Sequence, residues 1–206
     1  MPAWAVQGDV TAALNALALA LRDAGLAGAW RDEQLAVTDD RGRRLGTVER
    51  AAVRPLGIAT HAVHLVGHSP DGSVWVQQRA WDKANDPGLW DTLVGGMVPA
   101  ADGLAEALAR ETWEEAGLAV HDLHGLTHGG QLMIRRPSAD GHGAGYMVER
   151  IDWFHATVPA HLAPANQDGE VAQFALLERE VLGPQLAQGA FTLEAALVLA
   201  DALGVA

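Results

Sequence analysis

No cysteine occurs anywhere in the 206 residues, which excludes a disulfide framework, a thiolate metal site and a cysteine acting as nucleophile or acid. Lysine is almost as scarce: Lys83 is the sole example, and 14 Lys and Arg stand against 26 Asp and Glu, a formal net charge of -12. That excess of negative charge opposes long-range attraction to phosphate backbones and to anionic lipid, so neither a nucleic-acid polymer nor a membrane surface is an expected partner. A small phosphate ligand is still compatible, through a local basic pocket and a divalent metal, and this makes the placement of the few cations informative. No stretch approaches about 18 uninterrupted apolar residues, and Met1 to Gly8 lacks the basic segment and apolar run of a leader. The expected location is the cytoplasm. Tyrosine (1) and phenylalanine (3) are also rare beside seven tryptophans. Core filling is the default role of tryptophan, although Trp75, Trp81, Trp90 and Trp113 bracket the segment that carries the chemistry.

What is present is globular in character, with 49% hydrophobic and 19% charged residues. Val10 to Asp23, with Leu14, Leu17, Leu19 and Leu21 among alanines and Gly25 beyond, reads as an opening helix. Gln34 to Thr38 and Gly46 to Arg50 flank a polar turn and read as a hairpin, and Arg54-Pro55-Leu56-Gly57 marks a boundary. The expected organisation is therefore a small α+β extension over residues 1–55 and one main domain over residues 56–206.

In the main domain, His61 to Val66 and Val74 to Arg79 are β-prone runs joined by Ser69-Pro70-Asp71-Gly72, a tight-turn sequence. Trp90 to Val98 predicts a third strand that runs into Gly95-Gly96, and Asp102 to Ala116 turns to an alanine- and glutamate-rich helix pattern. Gly129 to Ile134, Tyr146 to Val158 and Val171 to Leu176 predict further strands, with the glycine-rich insert Gly141 to Gly145 as a turn. Glu178 to Leu186 and Thr192 to Leu203 predict two closing helices, the second capped by Thr192 and ended by Gly204.

The chemistry concentrates in the predicted helix after Asp102. Glu111, Glu114 and Glu115 lie at offsets that share one helical face, with Arg110 beside them. Carboxylates crowded in this way repel one another and resist ionisation unless a hard divalent cation takes their oxygens, magnesium being the natural candidate and manganese an alternative. Taken alone, glutamates at helical spacing are most often a solvated face. The surroundings change that weighting. Gly96-Met-Val-Pro-Ala-Ala-Asp102, seven further residues, and then Arg110-Glu111-Thr112-Trp113-Glu114-Glu115-Ala116-Gly117-Leu118 resemble the Nudix box, a long motif with many fixed positions.

That resemblance implies an α/β fold of the αβα sandwich type with a mixed sheet, and Glu111, Glu114 and Glu115 as metal ligands. It also implies a reaction in which water attacks a phosphorus of a diphosphate linkage, with Glu115 and Glu170 in the catalytic roles. Gly95 and Gly96 would admit close approach of the backbone, and Gly117 and Arg110 would have structural parts in the box. Where the family has its first box glutamate this chain has Asp102, shorter by one methylene, and a helix-capping role suits it better than ligation.

Upstream, Gln78-Arg79-Ala-Trp-Asp-Lys83 and Pro87-Gly88-Leu-Trp90-Asp91 resemble the segment before the box in isoprenoid diphosphate isomerases and in the thiamine pyrophosphokinase-related Nudix branch. Arg79 and Lys83 match cations that contact the diphosphate in those isomerases. Downstream, Asn166-Gln-Asp168-Gly169-Glu170-Val171 resembles the thiamine-related branch, and Glu170 would complete the metal site or take a proton from the attacking water; the bland alternative is a simple turn. The isomerase reaction as that family implies it uses a cysteine, which this chain lacks, so hydrolysis is the expected activity. The expected substrate is a small diphosphate, thiamine diphosphate or its oxidised analogues, with nucleoside diphosphate derivatives as the broad alternative. A non-catalytic diphosphate-sensing module is the competing class, and pairing of two chains is compatible with either.

Overall fold

The computed structural model describes residues 5–139 and 142–204. Part of the expected Gly141 to Gly145 turn and the first residues of the chain lie outside that description. The elements follow in the order α1 (Val10–Asp23), β1 (Gln34–Thr38), β2 (Arg44–Glu49), β3 (Ala59–His68), β4 (Val74–Arg79), β5 (Trp90–Asp91), β6 (Val94–Met97), α2 (Leu104–Ala116), β7 (His124–Ser138), β8 (Gly145–Thr157), β9 (Val171–Leu177), α3 (Arg179–Ala187) and α4 (Leu193–Leu203). This is an α/β fold with a mixed sheet. Strands hydrogen-bond in the order β5-β4-β3-β8-β7, with β6 also on β3 and β9 also on β4, while β1 and β2 form a separate hairpin.

The chain divides into two compact units, residues 1–61, 98–103 and 133–150 in the first and residues 62–97, 104–132 and 151–206 in the second. In the first, Asp9 caps α1 by accepting from the Ala12 amide at 2.7 Å. Leu14 and Ala18, four residues apart, are the buried side of α1, whereas Leu17 and Leu19 are exposed, so the leucines alone misreport which face packs. Asn15 joins the helix to the hairpin: its Oδ1 accepts from Gln34 Nε2 and from the Glu49 amide, each at 3.1 Å. Glu149 is also in this unit and buried, where Arg54 Nη2 donates to it at 2.8 Å and Thr60 Oγ1 at 2.7 Å, which commits it to a structural network.

The second unit carries the box. Val74 to Arg79 forms β4 with the predicted bounds, but the single strand expected over Trp90 to Val98 is broken into β5 and β6. The break has a local cause. Leu93 is fully buried against Gly67, where an added Cβ would stand 2.3 Å from Leu93 Cδ2, so the chain turns inward between the two strands. Full burial of such a leucine contributes about 2 kcal/mol. Thr92 holds the turn by donating from Oγ1 to the Val94 carbonyl at 2.8 Å. β4 and β9 pair from Val74↔Leu177 to Arg79↔Val171, with a register shift between Gln78 and Arg79 that sets Arg79 beside the residue following Glu170. Thr192 caps α4, accepting from the Ala195 amide, and Gly204 ends it at φ 64°, both as the sequence predicts.

Candidate active site

α2 buries Ala107, Leu108, Thr112, Glu115 and Ala116, a stripe at helical spacing in which Glu115 occupies a core position. A carboxyl there needs partners. Glu115 Oε2 accepts from the Gly95 amide at 2.9 Å and from Gln77 Nε2 at 2.8 Å, which ties α2 to β6 and β4. Burial first, and then the neighbouring charge of Glu111, push its pKa up to about 8 against the opposing pull of those two hydrogen bonds. At neutral pH and without a divalent cation, Glu115 therefore holds a proton.

The other two carboxylates are arranged differently. Glu111 lies directly against Gly96, where an added Cβ would stand 2.2–2.6 Å from its carboxyl atoms, and only hydrogen at that position leaves room for the group. Arg110 Nη1 lies 3.1 Å from Glu111 Oε1 and 2.9 Å from Glu114 Oε2, so one guanidinium bridges both. The three glutamates thus do not converge as an open triad. Among the described residues no three His, Cys, Asp or Glu side chains stand in a ready coordination cluster.

The donor set nevertheless suits a hard cation. It is all oxygen; its charge is held in check by Arg110 on one side and by the Glu115 proton on the other; and Gln77 Oε1, buried beside Glu115, has no donor among the described residues. A divalent ion held by Glu111, Glu114 and Glu115 would replace both the bridging guanidinium and the proton.

Two clamps join this face to the expected phosphate cations. Arg79 Nη1 meets Asp91 Oδ2 at 3.3 Å, and Asp91, buried opposite Gln77 on β5, also lies 3.8 Å from His64 Nδ1. Lys83 Nζ forms an ion pair with Glu170 Oε2 across 87 residues of sequence. The loop before Glu170 is fastened to the end of α2: the Gln167 amide donates to the Glu114 carbonyl at 3.1 Å and the Ala165 amide to the Ala116 carbonyl at 2.8 Å. Gly117, at φ 62°, faces that loop, and a Cβ there would stand 2.7 Å from the Ala165 carbonyl oxygen. Asp102 stands two residues ahead of Leu104, where α2 begins, and its amide donates to the Pro99 carbonyl at 3.1 Å.

Sequence reasoning missed Gln77, Asp91 and His64. His64 is buried beneath Gly95, where a Cβ would stand 2.7 Å from its Cε1. Because Thr92 Oγ1 gives its hydrogen to Val94, the 2.9 Å contact requires His64 Nδ1 to donate to Thr92 Oγ1. The available signal was slight: a glutamine directly after the apolar Val74-Trp75-Val76 for Gln77, and an aspartate inside a strand for Asp91.

One consequence is open to direct measurement. In the unfolded chain Glu115 ionises near 4.5, whereas in the fold it keeps its proton to about pH 8. Its contribution to the stability of the metal-free fold is thus whole below the unfolded value and is lost as pH rises through the folded one. Thermal unfolding in chelator should show a Tm that falls between pH 5 and pH 8, with a shallower fall in Glu115→Gln. Equal slopes for the two proteins would disprove the assignment.

The family described as NUDIX domain matches residues 59–197. An uncharacterised Nudix hydrolase of Pseudomonas aeruginosa is 38% identical over 86 residues, 42% of this chain and 51% of that protein. An uncharacterised protein of Saccharomyces cerevisiae is 26% identical over 190 residues, 84% of this chain and 54% of that protein. That share exceeds what residue 59 onward supplies, so the similarity reaches residues ahead of 59. The crystal structure of DR0079 from Deinococcus radiodurans superimposes with a TM-score of 0.64 at 20% identity, over 81% of this chain and 96% of that one, a likeness of fold. The chain spans about half the length of these curated relatives.

Proposed function

The chain belongs to the NUDIX family, and from that premise we propose that it is a divalent-cation-dependent hydrolase of small-molecule diphosphates, acting on thiamine diphosphate or its oxidised analogues to give the monophosphate and phosphate. The observation that carries this reading is Glu115: a carboxyl buried in the helix core stripe, held by the Gly95 amide and Gln77, and kept protonated until something replaces its proton. A purely structural position of this kind is better filled by an apolar residue.

In this reading Glu111, Glu114 and Glu115 hold magnesium, or manganese in its place, and the ion supplies charge neutralisation for the diphosphate and a lowered pKa for water. Arg79 and Lys83 bind the diphosphate oxygens, Arg79 through a planar fork steadied by Asp91 and Lys83 through a compact ammonium. Binding exchanges one partner for another, because Lys83 leaves Glu170 for the more highly charged phosphate. Glu170, released, accepts the proton of the attacking water as the water oxygen bonds to phosphorus; the bond from that phosphorus to its bridging oxygen breaks, and the bridging oxygen departs with the other phosphate. Arg110, which lies between Glu111 and Glu114, would orient one of them as a ligand.

The test is phosphate release by the purified chain from thiamine diphosphate, its oxidised analogues and a panel of nucleoside diphosphate derivatives, each with magnesium and with chelator. Release from the thiamine group that chelator abolishes is the expected result. Preference for the nucleoside compounds would move the substrate to that class, and silence across the panel with ligand binding retained would replace the hydrolase by a sensing module.

A further inference from the structure

Beside the phosphate cations stands a flat apolar surface that hydrolysis leaves unused. Trp81 is 72% exposed, more than any other large hydrophobic side chain described. A ring so exposed would ordinarily be loose, yet this one is supported. A Cβ added to Gly88 would stand 2.3 Å from Trp81 Cζ3, 2.5 Å from Cη2 and 2.7 Å from Cε3. Three adjacent ring atoms at nearly equal distance mean a point above the ring plane; approach from the edge would leave the outer two much farther away than the middle one. One face of the indole therefore rests on the Gly88 backbone, and its exposure belongs to the opposite face.

The support is itself fastened to β4. Gln78 Nε2 donates to the Gly88 carbonyl at 2.9 Å, the Arg79 guanidinium donates to the Asn85 carbonyl at 3.3 and 3.1 Å, and the Arg79 amide donates to the Leu89 carbonyl at 2.9 Å. Gly88 has φ 72°, a conformation in which an L side chain is strained even before it meets the ring. On either side of Trp81 the chain is tied to Glu170: the Ala80 amide donates to the Glu170 carbonyl at 2.9 Å, and Lys83 pairs with its carboxylate. A preorganised ring face thus lies within two residues of a cation assigned to the diphosphate.

We infer that Trp81 is a stacking platform for an aromatic ring in the organic part of the substrate, so that the substrates are diphosphate esters bearing an aromatic group rather than alkyl diphosphates. The inference rests on the proposed diphosphate chemistry of this site. A ring already held by Gly88 gives up little side-chain entropy when a second ring stacks on it. Offset stacking is favourable for any aromatic partner and gains a cation–π component when that partner carries positive charge.

Calorimetric titration of the full chain in magnesium buffer, with the benzyl and butyl monoesters of methylenediphosphonic acid, tests this without turnover, because the carbon bridge cannot be hydrolysed. Stacking should make the benzyl compound bind about tenfold more tightly than the butyl compound. Trp81→Ala should abolish the difference and Trp81→Phe should keep most of it, with thermal unfolding verifying that both variants fold. Equal affinities in the native chain, a preference that survives in Trp81→Ala, or no binding of either compound would each overturn the inference. Phosphate release is scored separately: a chain that binds with the aromatic preference but releases no phosphate from any diphosphate refutes the hydrolase and leaves the platform standing.

Discussion

Glu115→Gln is expected to lower turnover about a thousandfold, since a cation held through this residue supplies several kcal/mol of transition-state stabilisation and each 1.36 kcal/mol is a factor of ten. The fold should survive the change. Glutamine has the same shape, its amide oxygen accepts from the Gly95 amide and Gln77 Nε2 as the carboxyl does, and the native side chain, with a pKa pushed up to about 8, is already neutral at pH 7 in the absence of metal. What glutamine cannot do is become a carboxylate when a cation arrives. Two readouts therefore accompany the loss of turnover: magnesium should raise the Tm of the native chain and leave that of the variant unchanged, while the Tm in chelator at pH 8 should equal or exceed the native value. Glu114→Gln should change turnover in the same direction. Undiminished turnover in both variants would remove the metal assignment from α2.

Gly96→Ala is expected to cost about a hundredfold or more in turnover, because a displacement of about 1 Å in a positioned group has effects of that size. The added methyl would meet the Glu111 carboxyl at 2.2–2.6 Å, well inside contact, so the side chain must swing away from β6 and from its place beside Arg110. Glu111 is a long side chain and able to move, which confines the damage to the site. Gly96 pairs with Val63 in the β3–β6 ladder at an ordinary strand conformation, so alanine leaves the backbone in place. The variant should keep the native Tm in chelator to within a few degrees and, unlike the native chain, should gain no Tm from added magnesium. Full activity would show that the position of Glu111 is not a requirement of the reaction.

How much of this was legible beforehand varies from residue to residue. The ends of α1 and β4 and the capping of α4 by Thr192 and Gly204 follow from patterns a few residues long, in which side-chain spacing and backbone preference act locally. Arg110, Glu111, Glu114 and Glu115 were singled out for the same reason, since helical spacing and a long motif are both properties of contiguous sequence. Strand length is not legible where pairing between strands decides it. β7 runs from His124 to Ser138, well beyond the predicted Gly129 to Ile134, because its extent follows its partner rather than its own residues.

Contiguous residues alone thus carry the order of helices and strands, the box and its carboxylates, the scarcity of cations that draws notice to Arg79 and Lys83, and the exclusion of cysteine chemistry. Folding is what makes Glu115 the buried member of its set, sets Arg110 between Glu111 and Glu114, pairs Lys83 with Glu170, and leaves Trp81 open on Gly88. The reason is physical. Gln77 and Gln78 are neighbours of the same residue type, but alternate side chains of a strand face opposite ways, and the register of β4 against β5 and β9 turns Gln77 to Glu115 and Gln78 to Gly88. Contacts that join residues 38 or 87 positions apart depend on strand order and register, and no local preference of either residue encodes them.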